Sequence, residues 1–273
     1  MEKAVVTGGF DDIRSSDVRF LEEAAKQREL HVFLWSDGLI HKLNGNFPKF
    51  PQEERFYFLQ AIRYVSQVHL VDQIADRDSL PMQVESFSGT WVVNEASDNH
   101  QKRVFCASNG LKYQVIRQAL LKEFLKDHHI VPDRQSQNKK VIITGCYDWF
   151  HSGHIRFFEE VSGLGDLYVV AGSDQNVKFL KGEGHPMFPQ EERRYMVQSI
   201  RFVKRALISS GMGWMDAEPE IARIKPDIYA VNEDGDKPEK RKFCQVRGIE
   251  YMVLKRTPKE GLPSRLSTDL RGF

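Results

Sequence analysis

Short, unbroken apolar runs alternate along this chain with amphipathic stretches. In the C-terminal half, Val141-Ile142-Ile143 and Leu167-Tyr168-Val169-Val170-Ala171 are continuous apolar segments bounded by polar residues. Such runs are the signature of strands buried on both faces of a parallel sheet. Between them, Ile155, Phe158 and Val161 recur at helical spacing, which predicts a helix from His154 to Ser162. Met196, Ile200 and Val203 predict a second helix over Gln190 to Lys204. Ile228–Val231 and Tyr251–Leu254 read as further strands, separated by a charged helix from about Pro238 to Val246. Strands alternating with helices predict an α/β fold: a Rossmann-like, doubly wound parallel sheet that binds ligands at the carboxyl ends of its strands.

The N-terminal half follows the same pattern because the chain matches itself. Thr7 to Gly45 aligns with Thr144 to Gly182 at an offset of 137 residues, and after one inserted residue the match resumes at 138. Phe50-Pro51-Gln52-Glu53-Glu54-Arg55 then falls on Phe188-Pro189-Gln190-Glu191-Glu192-Arg193, Val93-Asn94-Glu95 on Val231-Asn232-Glu233, and Cys106 on Cys244. A period this long predicts two tandem domains rather than a solenoid. They are expected at 1–125 and 140–273, joined by a polar, aperiodic linker at 126–139. Tandem copies of this kind are expected to pack as an internal pseudo-dimer, or else to form a homodimer.

Composition narrows the class. A chain of 273 residues with a formal net charge of +1 has no nucleic-acid footprint. No apolar run approaches the roughly 18–20 residues that span a bilayer. Met1-Glu2-Lys3-Ala4-Val5-Val6 enters a strand almost directly, leaving no room for a signal peptide. Cys106, Cys146 and Cys244 have no CxxC spacing and cannot all pair. A reduced, cytoplasmic setting is the expectation, with no structural metal site.

The chemistry concentrates in Gly145-Cys146-Tyr147-Asp148-Trp149-Phe150-His151-Ser152-Gly153-His154, at the predicted turn from strand to helix. A helix N-terminus presents unpaired N–H groups and the positive end of its dipole. Gly145 and Gly153 allow close backbone approach to an anion. His151 and His154 can both donate to phosphate oxygens. Such a cradle suits a nucleoside triphosphate whose α-phosphorus is attacked by another phosphate. That nucleophile is already anionic, so catalysis reduces to positioning and charge stabilisation. The competing readings are a glycine turn with incidental histidines, or a zinc site, for which no Cys or carboxylate at ligand spacing completes a set.

These residues resemble the HxGH nucleotidyltransferase superfamily, and within it the tandem ethanolamine-phosphate cytidylyltransferase family. The resemblance also rests on Lys181-Gly182, on Pro186-x-Phe188-x-Gln190-Glu191-Glu192-Arg193, and on Arg256-Thr257 with Ser267-Thr268-Asp269-Leu270. It implies CMP transfer from CTP to a small phosphorylated alcohol or polyol, such as phosphoethanolamine or glycerol phosphate, releasing pyrophosphate. Mg2+ would travel on the nucleotide, with no protein metal site. The alternative is ATP-dependent adenylyl transfer to a sugar phosphate or coenzyme precursor, since Lys178 to Pro186 also resembles the nucleotidyl-transfer domain of ADP-heptose synthases. A non-catalytic nucleotide-binding regulator is the alternative of another class. The chain departs from the family in carrying its intact motif in the C-terminal half, and in an Arg-Thr/Ser-Thr segment lengthened to Arg256–Thr268.

The first copy serves as an internal control. Arg14 and Asp17 stand where the second has His151 and His154, Asn44 faces Lys181, and Gln118-Ala119 face Arg256-Thr257. Residues lost together mark the second copy as the working half and the first as a degenerate, inactive one. On this reading His151, His154 and Lys181, the last expected in a loop ahead of Gly182, are catalytic. Thr144, Gly145, Cys146, Tyr147, Gly153, Arg256, Thr257, Ser267 and Thr268 hold the nucleotide, with Ser267 and Thr268 opening a short helix. Asp148, Lys178 and Trp214 contact the acceptor. Trp214 would close over it from between Gly211 and Gly213, and Cys146 is otherwise a small buried residue. The duplicated Gln190-Glu191-Glu192-Arg193 is expected to cap and ion-pair a helix start.

Overall fold

A computed structural model describes residues 2–81, 88–124, 136–268 and 270. The chain divides into two compact units, Met1–Glu123 and Phe124–Phe273. The expected linker lies mostly outside the described residues.

In the second unit, β6 (Lys140–Gly145), β7 (Asp166–Ala171), β8 (Val203–Ile208), β9 (Ile228–Asn232) and β10 (Glu250–Leu254) form one parallel sheet in the order β10-β9-β6-β7-β8. The helices are α5 (Ser152–Ser162), α6 (Asp174–Lys181), α7 (Gln190–Gln198), α8 (Glu218–Ile224) and α9 (Pro238–Arg247). The first unit repeats the design. Its strands β1 (Glu2–Gly8), β2 (Arg28–Trp35), β3 (Gln67–Val71), β4 (Gly89–Asn94) and β5 (Lys112–Ile116) run in the order β3-β2-β1-β4-β5. They are accompanied by α1 (Ser15–Ala25), α2 (Asp37–Asn44), α3 (Gln52–Ala61) and α4 (His100–Ser108). The α/β class and parallel sheets expected from the apolar runs are what the structure shows.

Burial explains why the runs are continuous. Val141, Ile142 and Ile143 have no exposed surface, and neither do Ile155 and Phe158 on α5. Fully burying one such side chain contributes about 1.5–3 kcal/mol. On the other side of the sheet Ile142, Tyr168, Tyr229 and Val231 pack with Ile221 and Cys244.

The helix expected over 190–204 ends six residues early. α7 stops at Gln198, the Ser199 amide donates to the Tyr195 carbonyl, and Val203–Ile208 continue as β8. The Gln198 side chain accepts from the Ala206 amide at 2.7 Å, fastening the new strand to the helix end. Met196, Ile200 and Val203 are all buried, because an apolar triplet at helical spacing fits a helix end turning into a strand equally well.

The order of the strands positions the site. β6 and β9 leave the centre of the sheet in opposite directions of chain progress, which creates a switch point. β6 pairs with β7 as far as Gly145–Ala171, but with β9 only at Val141–Ile228 and Ile142–Tyr229. A crevice therefore opens between the carboxyl ends of β6 and β9.

Candidate active site

The turn after β6 is shaped by two glycines. A Cβ on Gly145 would lie 2.7 Å from the Tyr147 ring, and one on Gly153 would lie 2.9 Å from the His151 ring. Tyr147 itself adopts φ 54°, a left-handed conformation that non-glycine residues rarely take. The motif glycines therefore make room for side chains of the same motif. Tyr147 is buried with its ring edge-on to His154, and Phe150 stacks on His154 at 5.2 Å and 17°.

His151 is the N-cap of α5 and its Nδ1 accepts from the Gly153 amide at 3.1 Å. His154 sits three residues on, and its Nδ1 accepts from the His151 amide at 3.3 Å. Each imidazole thus satisfies an orphan donor of the helix start, in the manner of a capping box. An accepting Nδ1 carries no proton, so the neutral ring must carry it on Nε2. Burial, followed by the charges of Arg256 and Arg265, lowers the His151 pKa to about 3. Burial, His151, Arg256 and Lys181 hold that of His154 well below its usual 6.5. Both rings are neutral Nε2–H donors at neutral pH. The rings lie 4.0 Å apart, and His151 Nε2 is buried without a hydrogen-bond partner among the described residues. A buried donor left unpaired costs about 1–3 kcal/mol, which a bound acceptor would recover.

The positive charge comes from other residues. Arg256 donates to Asp234 at 2.6 Å and to the Arg265 carbonyl at 3.0 Å, while its charge acts on both histidines. Ser267 Oγ donates to the Trp149 carbonyl at 3.2 Å, tying the segment after β10 to the motif turn. Ser267 and Thr268 lie in a turn; the short helix expected to follow them falls on residues largely outside those described. Thr257 is exposed beside Arg256. Lys181 is exposed, ends α6 instead of lying in a loop, and its charge acts on His154 and Cys146. Burial raises the Cys146 thiol, so this cysteine is not an activated nucleophile. Thr144 Oγ1 and Tyr229 OH are 2.9 Å apart across the crevice.

Three expected acceptor contacts are placed differently from the histidines. Asp148 is buried, and its carboxylate accepts from the Met187 and Phe188 amides at 2.7 and 3.1 Å and contacts His185 at 3.1 Å. It fastens the 185–188 loop, as Asp11 fastens Lys49 and Phe50 in the first unit. Lys178 pairs with Glu183 at 3.1 Å on the surface. Trp214 is 58% exposed with Lys237 over its ring. The glycine beside it is clamped, since Asn176 accepts from the Gly213 amide and donates to its carbonyl.

Two contributors escape sequence reasoning. Asn176 is buried, yet its only signal is one polar residue on the apolar side of a short helix. Arg193, expected to serve a helix start, instead donates to the carbonyls of Phe188, Cys146 and Gly172 and to Asp174. It binds the ends of β6 and β7 to the loop. Arg55 does the same for Phe50, Gly9, Trp35 and Asp37.

Two neutral imidazoles at a helix start, beside the switch point of a parallel sheet, form the candidate site of this α/β unit. Residues 142–255 match the family described as Cytidylyltransferase-like. A protein named FAD synthase from Ferroglobus placidus is 36% identical over 125 residues, 45% of this chain and 78% of that protein. A second FAD synthase, from Archaeoglobus profundus, is 33% identical over 124 residues, 44% of this chain and 76% of that protein. Bifunctional protein HldE of a Nitratiruptor species is 35% identical over 126 residues, 44% of this chain but only 26% of that protein. The chain belongs to the cytidylyltransferase-like family of the HxGH nucleotidyltransferase superfamily, and it is a nucleotidyltransferase.

Proposed function

We propose that the second unit transfers AMP from ATP to the phosphate of a small molecule, with release of pyrophosphate. The observation that carries nucleotidyl transfer is the pair of neutral imidazoles whose Nδ1 atoms are both taken by backbone amides. An acceptor phosphate oxygen attacks the α-phosphorus, and the bond to the bridging oxygen breaks with its electron pair leaving on pyrophosphate. The two Nε2–H groups donate to the oxygens where that charge grows. Arg256 and Lys181 supply the positive field, and no protein base is required.

The relatives favour ATP over the CTP expected from the motif resemblance. FAD, the product in the name of the FAD synthases, contains an adenylyl group joined to a flavin phosphate. A phosphorylated coenzyme precursor or sugar phosphate is therefore the acceptor class. Among the described residues no three His, Cys, Asp or Glu side chains converge to hold a metal. Mg2+ carried by the triphosphate oxygens would supply charge neutralisation beside Arg256 and Lys181. The first unit, with Arg14, Asp17, Asn44 and Gln118 at the matching positions, is a duplicated copy that lacks the transfer chemistry.

The experiment is pyrophosphate release with ATP, CTP, UTP or GTP against flavin mononucleotide, a phosphorylated sugar, phosphoethanolamine and glycerol phosphate. Turnover with ATP supports the reading. Turnover with CTP alone returns the assignment to cytidylyl transfer, and calorimetric nucleotide binding without turnover on any acceptor favours a regulator.

A further inference from the structure

The loop that follows α6 carries a histidine outside the HxGH motif. His185 Nδ1 lies 3.1 Å from Asp148 Oδ2, within the motif turn. A carboxylate only accepts, so Nδ1 carries a proton and the ring is turned with Nε2 away from Asp148. The Asp148 side chain is 3% exposed and that of His185 11%, so packing restricts both.

The loop does not need this histidine to be fastened, as the first copy shows. Phe47 precedes Pro48 there as His185 precedes Pro186. Asp11 spends one oxygen on each loop amide, Oδ2 on Lys49 at 2.8 Å and Oδ1 on Phe50 at 3.0 Å. Asp148 instead takes both amides, of Met187 and Phe188, on Oδ1 and gives Oδ2 to His185. Phe47 is exposed and stacks on His41. The aspartate anchor is thus common to both copies and the histidine is not, the same distribution as His151, His154 and Lys181.

Placement ties His185 to the site. Lys181 ends α6 with its charge acting on Cys146 and His154. His185, further along the same loop, meets Asp148, so both ends of this segment border the motif turn. Arg256 and Ser267 reach that turn from the segment after β10. Two phosphates must meet there in nucleotidyl transfer, and the α6 side supplies the donors that the β10 side does not. We propose that His185, oriented by Asp148, donates from Nε2 to the acceptor's phosphate and, with Lys181, selects a phosphorylated acceptor; this rests on nucleotidyl transfer by the second unit. Between a carboxylate and a phosphate the ring carries a proton on each nitrogen. Asp148 acts through His185 and is a positioning residue.

The test is calorimetric titration of the full chain, saturated with α,β-methylene ATP, by flavin mononucleotide, glucose 1-phosphate, phosphoethanolamine and glycerol 3-phosphate. At least one of them binds the parent. His185→Asn keeps a donor for Asp148 at the place of Nδ1 but lacks Nε2, and it weakens that acceptor about tenfold or more. Its thermal midpoint and its affinity for the ATP analogue stay near those of the parent. His185→Gln, whose amide reaches the place of Nε2, recovers part of the loss. Binding is read here without turnover, so a parent that binds acceptor but releases no pyrophosphate counts against nucleotidyl transfer and not against this contact. The proposal is overturned if no acceptor binds the parent, if His185→Asn binds it as the parent does, or if the analogue is weakened equally. A loss of acceptor affinity that only accompanies a fall in thermal midpoint, in both variants, also overturns it.

Discussion

The same turn occurs twice in this molecule with different side chains, and the difference separates architecture from chemistry. Both units anchor the loop before the third strand with an aspartate, Asp11 or Asp148, and both close the strand ends with a buried arginine, Arg55 or Arg193. Both place a Tyr–Asp–Arg cluster beside the last strand, through Tyr113, Asp98 and Arg103 or Tyr251, Asp236 and Arg241. The Glu95 carboxylate accepts from the Gln118 amide as Glu233 accepts from that of Arg256, so the backbone is retained while the guanidinium is not. The two helix starts differ. One presents buried, neutral imidazole donors; the other presents Asp17 bonded to its own N-cap.

The largest effect is predicted for the shared architecture. Arg193→Ala leaves a carboxylate and three carbonyls without their donor and should cost about 3–5 kcal/mol of stability, read as a fall in urea midpoint. Arg55→Ala should cost the same, and a much smaller loss in either unit would break the equivalence. Next in size, His154→Ala should lower turnover about 10²–10³-fold with folding retained, whereas Asp17→Ala should leave pyrophosphate release unchanged. Lys181→Ala is smaller, about tenfold, the value of one charge-assisted hydrogen bond.

Acid acts on the two helix starts with opposite sign. The folded pKa of His151, about 3, lies below the ordinary 6.5, so the unfolded chain takes up the proton first. The stability this group contributes is complete above pH 6.5 and is lost as pH falls from there towards 3. Asp17 is raised above 3.8, so its contribution is present below 3.8 and is lost as pH rises through the folded value. Hydrogen-exchange protection of β6 amides should therefore decline between pH 6.5 and 4 and flatten in His151→Gln. Burial also lowers the pKa of His31 and His69 in the first unit, so β1 amides decline as well, but that decline should be unchanged by His151→Gln. A β6 decline that His151→Gln leaves as steep would contradict the assignment.

Much of this was legible in the sequence because it depends on near neighbours. Apolar runs marked β6, β7, β9 and β10, and the spacing of His151, Gly153 and His154 marked the cradle. The 137-residue self-match paired each motif residue with its counterpart. What was hidden depends on partners far along the chain. The carbonyl clamp of Arg193 joins residues 146, 172 and 188, and Asn176 holds residue 213. Asp148 read as an acceptor contact because a carboxylate inside a motif looks available until the 187–188 amides are seen on it. β8 was absorbed into the preceding helix because Ile200 and Val203 satisfy both periods.

The central claim is that the second unit's histidine pair performs nucleotidyl transfer and the first unit's helix start does not. The direct test is pyrophosphate release, with the best nucleotide and acceptor pair, by the chain carrying His151→Ala and His154→Ala beside the chain carrying Arg14→Ala and Asp17→Ala. A loss of at least 10²-fold in the first, with parent-level activity in the second, is the predicted result. Near-parent activity in the first, or an equal loss in both, would contradict it.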